Sequence, residues 1–182
     1  ENLFNNNDSS SNSLNELPTA YDYIRLGHPL SCVFEWGVAK LNNTDSQNVI
    51  SFSSQTIPVL AVLRKNLLAN KNTQIAYSGE LPTCFDAETI KQVYGYKFEL
   101  IKVEDASAIS AFDGSTIYLS QQTEIGKFDL NPNIDFYINL YTQLGSILIV
   151  NGTKNESYVS DIQHVRRRET IAMTPANCLT AI

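Results

Sequence analysis

The chain of 182 residues is 43% hydrophobic, carries a net charge of −6 and has a pI near 4.8. That apolar content is enough for one substantial core, so one folded domain is expected. The acidic balance argues against a nucleic-acid or anionic-membrane partner, which needs clustered Lys and Arg, and no run of about eighteen apolar residues marks a membrane span.

Residues 1–16, with Asn5-Asn6-Asn7-Asp8 and Ser9-Ser10-Ser11-Asn12-Ser13, are too polar to bury and predict a flexible arm, leaving 17–182 as a single α/β domain. A Gly/Pro-punctuated loop, Tyr23-Ile24-Arg25-Leu26-Gly27-His28-Pro29, then runs into a helix. Leu30, Val33, Phe34, Gly37, Val38 and Leu41 recur at three and four on its buried face, and Asn42-Asn43 ends it. Val49 to Phe52 reads as a strand, Ser53-Ser54-Gln55 as a turn, and Ile57, Leu60, Ala61, Val62, Leu67 and Leu68 as the apolar face of a second helix. Gln74 to Tyr77 is another strand, after which Asp86 caps a helix that runs to Tyr94 and stops at Gly95.

Lys97 to Val103 and Ser115 to Leu119 read as strands. Asn131-Pro132 then pairs a capping residue with proline at the first helical position and predicts a helix through Leu144, with Ile134, Ile138, Tyr141 and Leu144 as its buried stripe. Ser146 to Val150 is a strand buried on both faces, and Thr170 to Met173 a last short strand. Strands alternating with helices imply right-handed crossovers and a three-layer α/β/α fold with a mainly parallel sheet. A ligand of such a sheet lies beyond the carboxyl ends of its strands, which points to Ser53–Thr56, Ser78–Thr83, Ser120–Glu124 and Asn151–Thr153.

Several chemistries find no support. Cys32, Cys84 and Cys178 are an odd set at wide spacing, which suits reduced thiols and a cytoplasmic location. Neither His28 nor His164 stands at a signature spacing from a cysteine, so no cysteine nucleophile or metal site is expected. Phosphate loops of the Walker or Gly-x-Gly-x-x-Gly type are missing. The run His164-Val165-Arg166-Arg167-Arg168-Glu169 reads as a solvated face or helix end, and the sequons at Asn42, Asn151 and Asn155 as products of an Asn-rich composition.

The order and spacing of these segments resemble the large domain of the pyridoxal-phosphate enzymes of cysteine and methionine metabolism, the fold type I family of cystathionine synthases and lyases and methionine lyase. Tyr23 to Pro29 is similar to that family's Tyr-x-Arg-x-x-Asn-Pro segment, with His28 at the asparagine. The resemblance implies that Tyr23 and Arg25 reach the cofactor phosphate of a neighbouring subunit. The Phe-x-Ser-Gly-Met turn that cradles the phosphate resembles Phe52-Ser53-Ser54-Gln55-Thr56, so Ser54, Gln55 and Thr56 become vestigial cofactor-binding residues, with Gln55 in place of glycine. Glu80 to Thr83 and Ser120 to Ile125 stand for two further site segments and keep few of their residues.

The resemblance puts Asn151-Gly152-Thr153 at the family's Asp-Asn-Thr. Neutral Asn151 would then replace the carboxylate that keeps the pyridine nitrogen protonated. The Schiff-base lysine falls near Cys178, and no lysine follows Lys154. The implied protein is a truncated relative without the aldimine nucleophile and without catalytic residues. It would retain its core for assembly or binding, as a homo-oligomer or paired with a related pyridoxal-phosphate enzyme subunit. No cofactor is expected, although pyridoxal phosphate bound without covalent attachment fits the same resemblance. Two alternatives stand beside this: a subunit or fragment of an active C–S lyase or transferase completed by another chain, and a non-covalent binder of an anionic small molecule through Arg25, Ser54 and Thr56.

Overall fold

The computed structural model describes residues 2–16 and 24–182. The Ser/Asn-rich start forms two short helices, α1 (Asn2–Asn6) and α2 (Ser11–Asn15). The hydroxyl of Ser10 accepts from Ser13 N at the start of α2, and Leu14 is buried in the core. The stretch expected to be a free polar arm is therefore docked in its described part, because its single-turn helix points a leucine inward.

The elements that follow are α3 (Pro29–Leu41), β1 (Val49–Phe52), α4 (Ile57–Leu68), β2 (Thr73–Tyr77), α5 (Ala87–Tyr94), β3 (Glu99–Lys102), β4 (Ser115–Ser120), β5 (Phe136–Tyr141), β6 (Gly145–Val150), α6 (Ser157–Glu169) and α7 (Pro175–Ala181). Most match the apolar periodicity. Asp86 accepts from Thr89 N to start α5, and Gly95, at φ +69°, ends it in the left-handed region that glycine tolerates.

The six strands form one sheet in the order β1-β6-β5-β4-β2-β3. β2, β3, β4 and β5 are mutually parallel, whereas β6 runs antiparallel to both β1 and β5. The sheet is thus mixed. Helices cover both faces, as expected: α4, α5 and α6 pack on Ile50, Ile75, Ile117, Phe136 and Leu148, while α3 and α7 pack on the face of Val49, Tyr137, Ile147 and Ile149.

Two expectations fail here. The predicted helix after Asn131-Pro132 is instead a turn followed by β5. Asn131 Oδ1 accepts from Asn133 N at 2.9 Å, a two-residue side-chain turn rather than a helix cap. The residues Phe136 to Tyr141 are all buried because alternate side chains enter the two cores. Thr170 to Met173 forms no ladder; it is an extended link whose Ile171 carbonyl accepts from Ser53 N. No described helix is long and apolar enough to cross a membrane.

The start of α3 supplies a pH-dependent joint. His28 Nδ1 accepts from Ser31 N at 3.1 Å, and Nε2 meets the Met173 carbonyl at 2.7 Å, so the neutral tautomer with the proton on Nε2 satisfies both contacts. Burial, with the Arg166 charge acting in the same direction, holds the imidazole below the ordinary value of 6.5. A depressed value means that the unfolded chain binds the proton first. Stability is full above 6.5 and falls as pH drops below it. The melting temperature should decline from about pH 7.5 to about pH 5.5. His28→Asn, which keeps an acceptor for Ser31 N, should flatten that decline, while His28→Ala should cost about 1 kcal/mol at the upper pH.

Candidate functional site

The carboxyl ends of β1, β2, β3, β4 and β5 share one edge of the sheet, at Phe52, Tyr77, Lys102, Ser120 and Tyr141. The turn from β1 into α4 lies there. A helix N-terminus offers unpaired amides and a positive partial charge to an anion, and Ser54, Gln55 and Thr56 stand around this one. Their hydrogen bonds run inward. Ser54 Oγ accepts from Thr56 N at 3.3 Å and from Ile57 N at 3.2 Å, and Pro58 has no N–H to give. The Thr56 side chain makes no capping bond, so Ser54 caps the helix in its place.

Gln55 spans the mouth of the turn. Its Nε2 donates to the Tyr141 carbonyl at 2.9 Å, and its Oε1 accepts from the Cys84 thiol at 3.2 Å. One side chain thereby joins the end of β1, the end of β5 and the loop after β2. Ser146 Oγ donates to the Ser54 carbonyl at 2.5 Å, and Ser53 N donates to Ile171 O at 3.1 Å. Gly145 sets how closely the β5–β6 hairpin approaches this turn. A Cβ there would sit 2.1 Å from the Phe52 carbonyl oxygen, at a φ of +124°.

Other predicted residues lie elsewhere. Asn151 is at the opposite edge, because β6 is antiparallel and its carboxyl end emerges beside the start of β5. Asn151 N donates to Asp135 O at 2.8 Å, and its side chain donates to Ile134 O at 2.7 Å and Asn131 O at 3.2 Å. Its placement with the β1 turn is corrected accordingly. Tyr23 lies outside the described residues. Arg25 is exposed in the loop before α3 and forms no ion pair among the described residues. Cys178 is fully buried in α7, donates to Met173 O, and has its thiol pushed up to about 12 by burial; such a thiol is inert.

Glu35 Oε1 accepts from Arg166 Nη1 at 2.8 Å, from Ser51 N at 2.8 Å and from Ser51 Oγ at 2.7 Å. Burial raises the Glu35 carboxyl above its ordinary value, and Arg166 and Ser51 oppose the rise. Arg166, within the basic run expected to face solvent, is buried. Sequence reasoning also missed Asn139, whose Oδ1 accepts from Gln122 N and whose Nδ2 donates to Gln122 O, both at 2.9 Å. A lone polar residue inside an apolar run was its only signal.

No family model matches the chain, and no curated protein matches it. Solved structures do. The chain aligns with cystathionine γ-synthase from Xanthomonas oryzae pv. oryzae in complex with aminoacrylate and cysteine at 11% identity and a TM-score of 0.59, covering 90% of this chain and 52% of that one. Cystathionine γ-lyase from yeast aligns at 13% identity and a TM-score of 0.55, over 89% and 51% of the two chains. Aminotransferase AspB from Helicobacter pylori aligns at 10% identity and a TM-score of 0.53, over 100% and 63%. The chain thus spans about half to two thirds of the length of these structures.

These neighbours are pyridoxal-phosphate-dependent enzymes of fold type I, and the chain shares with them its α/β fold, a mixed sheet flanked by helices. Cystathionine enzymes and an aminotransferase share that fold at similar identity, so the likeness does not single out the cysteine and methionine branch.

Proposed function

We propose that this chain is a non-catalytic assembly or binding protein built on the large-domain core of a pyridoxal-phosphate-dependent transferase. The observation that carries the reading is the self-capped turn at the start of α4. Ser54 takes the amides of Thr56 and Ile57, Pro58 withholds a third, and Gln55 crosses the mouth to Tyr141. An incoming phosphate would have to displace these bonds before gaining its own. Assembly in this reading uses the loop before α3, where Arg25 and Leu26 are exposed and available to a second copy or a related subunit.

Incubation with pyridoxal phosphate, borohydride reduction and peptide mapping test the first half. No single lysine should be labelled stoichiometrically, and no aldimine absorbance band should appear. A band that disappears on reduction, with one lysine fully labelled, would overturn the proposal. In the same preparation, sedimentation should report an oligomer that Arg25→Ala/Leu26→Ser shifts toward monomer; a monomeric wild type would remove the assembly half.

A further inference from the structure

Charge is spread unevenly over this acidic chain. Residues 46–79 hold Arg64, Lys65 and Lys71 but no Asp or Glu, although the whole chain has 19 acids. The last turn of α4, within that stretch, meets the end of α5. Leu67 and Lys71 line one small cavity with Lys97, and Arg64 lies against Tyr96, on which Tyr94 stacks with ring centroids 5.5 Å apart. The two helix ends thus form one surface. Arg167 and Arg168 extend it along α6, because His164, one turn before them, lines the α4–α6 groove with Leu68. Carboxylates on this side are already taken: Glu169 pairs with Arg64, Asp161 with Lys65 and Glu88 with Lys91. Lys71, Lys97, Arg167 and Arg168 are in no ion pair among the described residues, so four positive charges are left over.

Large apolar side chains stand among these cations. Among the described residues the two most exposed large hydrophobics, Leu68 at 80% and Val93 at 67%, are both here, beside Leu67 and Tyr94. An apolar patch rimmed by charge marks an interaction surface. Leu68 and Val93 protrude, so a rigid protein partner would need matching cavities, whereas the acyl region of a bilayer yields around them. Tyr94, half exposed, has the amphipathic ring that settles at headgroup level. The net charge of −6 opposes an anionic surface only where charge is spread evenly. At physiological salt fields fade over about 8 Å, less than the thickness of one layer of this fold, so carboxylates beyond the sheet are screened from it. Each helix C-terminus adds about half a negative charge, which the four unpaired cations outweigh.

We propose that the ends of α4 and α5 dock this chain on an anionic lipid bilayer. Leu68 and Val93 enter below the headgroups, and Lys71, Lys97, Arg167 and Arg168 meet the headgroup charge. The surface lies about 18 Å along α4 from the self-capped turn, and failure of either reading leaves the other standing. Flotation of the whole chain with phosphatidylcholine vesicles containing about one third phosphatidylserine tests it. The chain should float with them at about 0.1 M salt and be released at about 0.5 M, and it should not float with phosphatidylcholine alone. Leu68→Ser/Val93→Ser and Lys71→Gln/Lys97→Gln should each weaken binding about tenfold or more, while Lys40→Gln/Leu179→Ser, on the opposite helical layer, should leave it unchanged. If the Leu68/Val93 variant does not fold, the Lys71/Lys97 variant decides. Absence of flotation at the lower salt, equal binding to phosphatidylcholine alone, or wild-type binding by both surface variants would overturn the proposal. So would binding to polyglutamate that is tighter than to the vesicles and indifferent to Leu68→Ser/Val93→Ser, which would assign the face to an acidic protein.

Discussion

Replacing Arg166 by methionine should cost about 3–5 kcal/mol, the usual penalty for removing one member of a buried ion pair and stranding the other. Glu35 would keep the bonds from Ser51 N and Ser51 Oγ but lose its only ion-pair partner among the described residues. Methionine keeps most of the arginine stem's packing, so the loss reports charge rather than cavity. Burial already holds the Glu35 carboxyl above its ordinary value of 4.5, and Arg166 opposes that rise. Without the guanidinium the carboxyl rises further. A raised value gives stability that is full below 4.5 and lost as pH climbs through the folded value. The gap between variant and wild type should therefore narrow on acidification. Relief of His28, whose imidazole Arg166 also disfavours charging, acts in the same direction. Urea unfolding at neutral and mildly acidic pH measures both; a deficit below about 1 kcal/mol, or one constant with pH, would mean that solvent reaches Glu35.

The buried pair also shows where sequence reading stops. Helices α3 and α4 were legible because each carries an apolar stripe at helical spacing, with Asn42-Asn43 ending α3, and α5 because Asp86 and Gly95 mark its two ends. Arg166 was not. Inside a run of three arginines it looks like a solvated helix end, and only the rotation of α6 against the sheet distinguishes it from exposed Arg167 and Arg168. Asn42, Asn66, Asn139 and Asn155 were hidden in the same way. An Asn-rich composition suggests polar linkers, yet these four are buried, and their amides hold Phe128 N, Thr73 Oγ1, Gln122 and Asp135. Two of the three sequon asparagines, Asn42 and Asn155, are thereby committed to the core.

The candidate site was half legible for a topological reason. Ser54, Gln55 and Thr56 stand where a strand-turn-helix pattern places them, since that pattern is local. Asn151 depended on the direction of β6, and that direction depended on recognising a hairpin. The chain reverses through Thr142, Gln143 and Leu144, with Gln143 at φ +64° in a conformation that usually calls for Gly or Asn. Lacking that signal, Phe136 to Tyr141 was taken as a helix and Val150 as the end of a parallel strand. One missed reversal moved Asn151 across the sheet.

Gly145→Ala tests that reversal and the closed turn together, and should destabilise by more than about 3 kcal/mol. The new Cβ would meet backbone rather than a yielding side chain, at 2.1 Å from Phe52 O and 3.1 Å from Ser53 Cα, in addition to the strain of φ +124°. Relief requires the hairpin to move away from β1, which breaks the Phe52–Ser146 end of the ladder and the bond from Ser146 Oγ to Ser54 O. Tyr141, which pairs with Gly145, would be carried off with it and drop the Gln55 amide. Hydrogen exchange at the Thr56 and Ile57 amides should therefore quicken more than exchange in α3. Gly37→Ala is the matched control: it lies within α3 with nothing inside 4 Å of its Cβ position, and should stabilise by about 0.5–1 kcal/mol. If Gly145→Ala costs less than about 1 kcal/mol, the hairpin can withdraw without opening the turn. The close approach of β6 would then not be what keeps Ser54 and Gln55 turned inward.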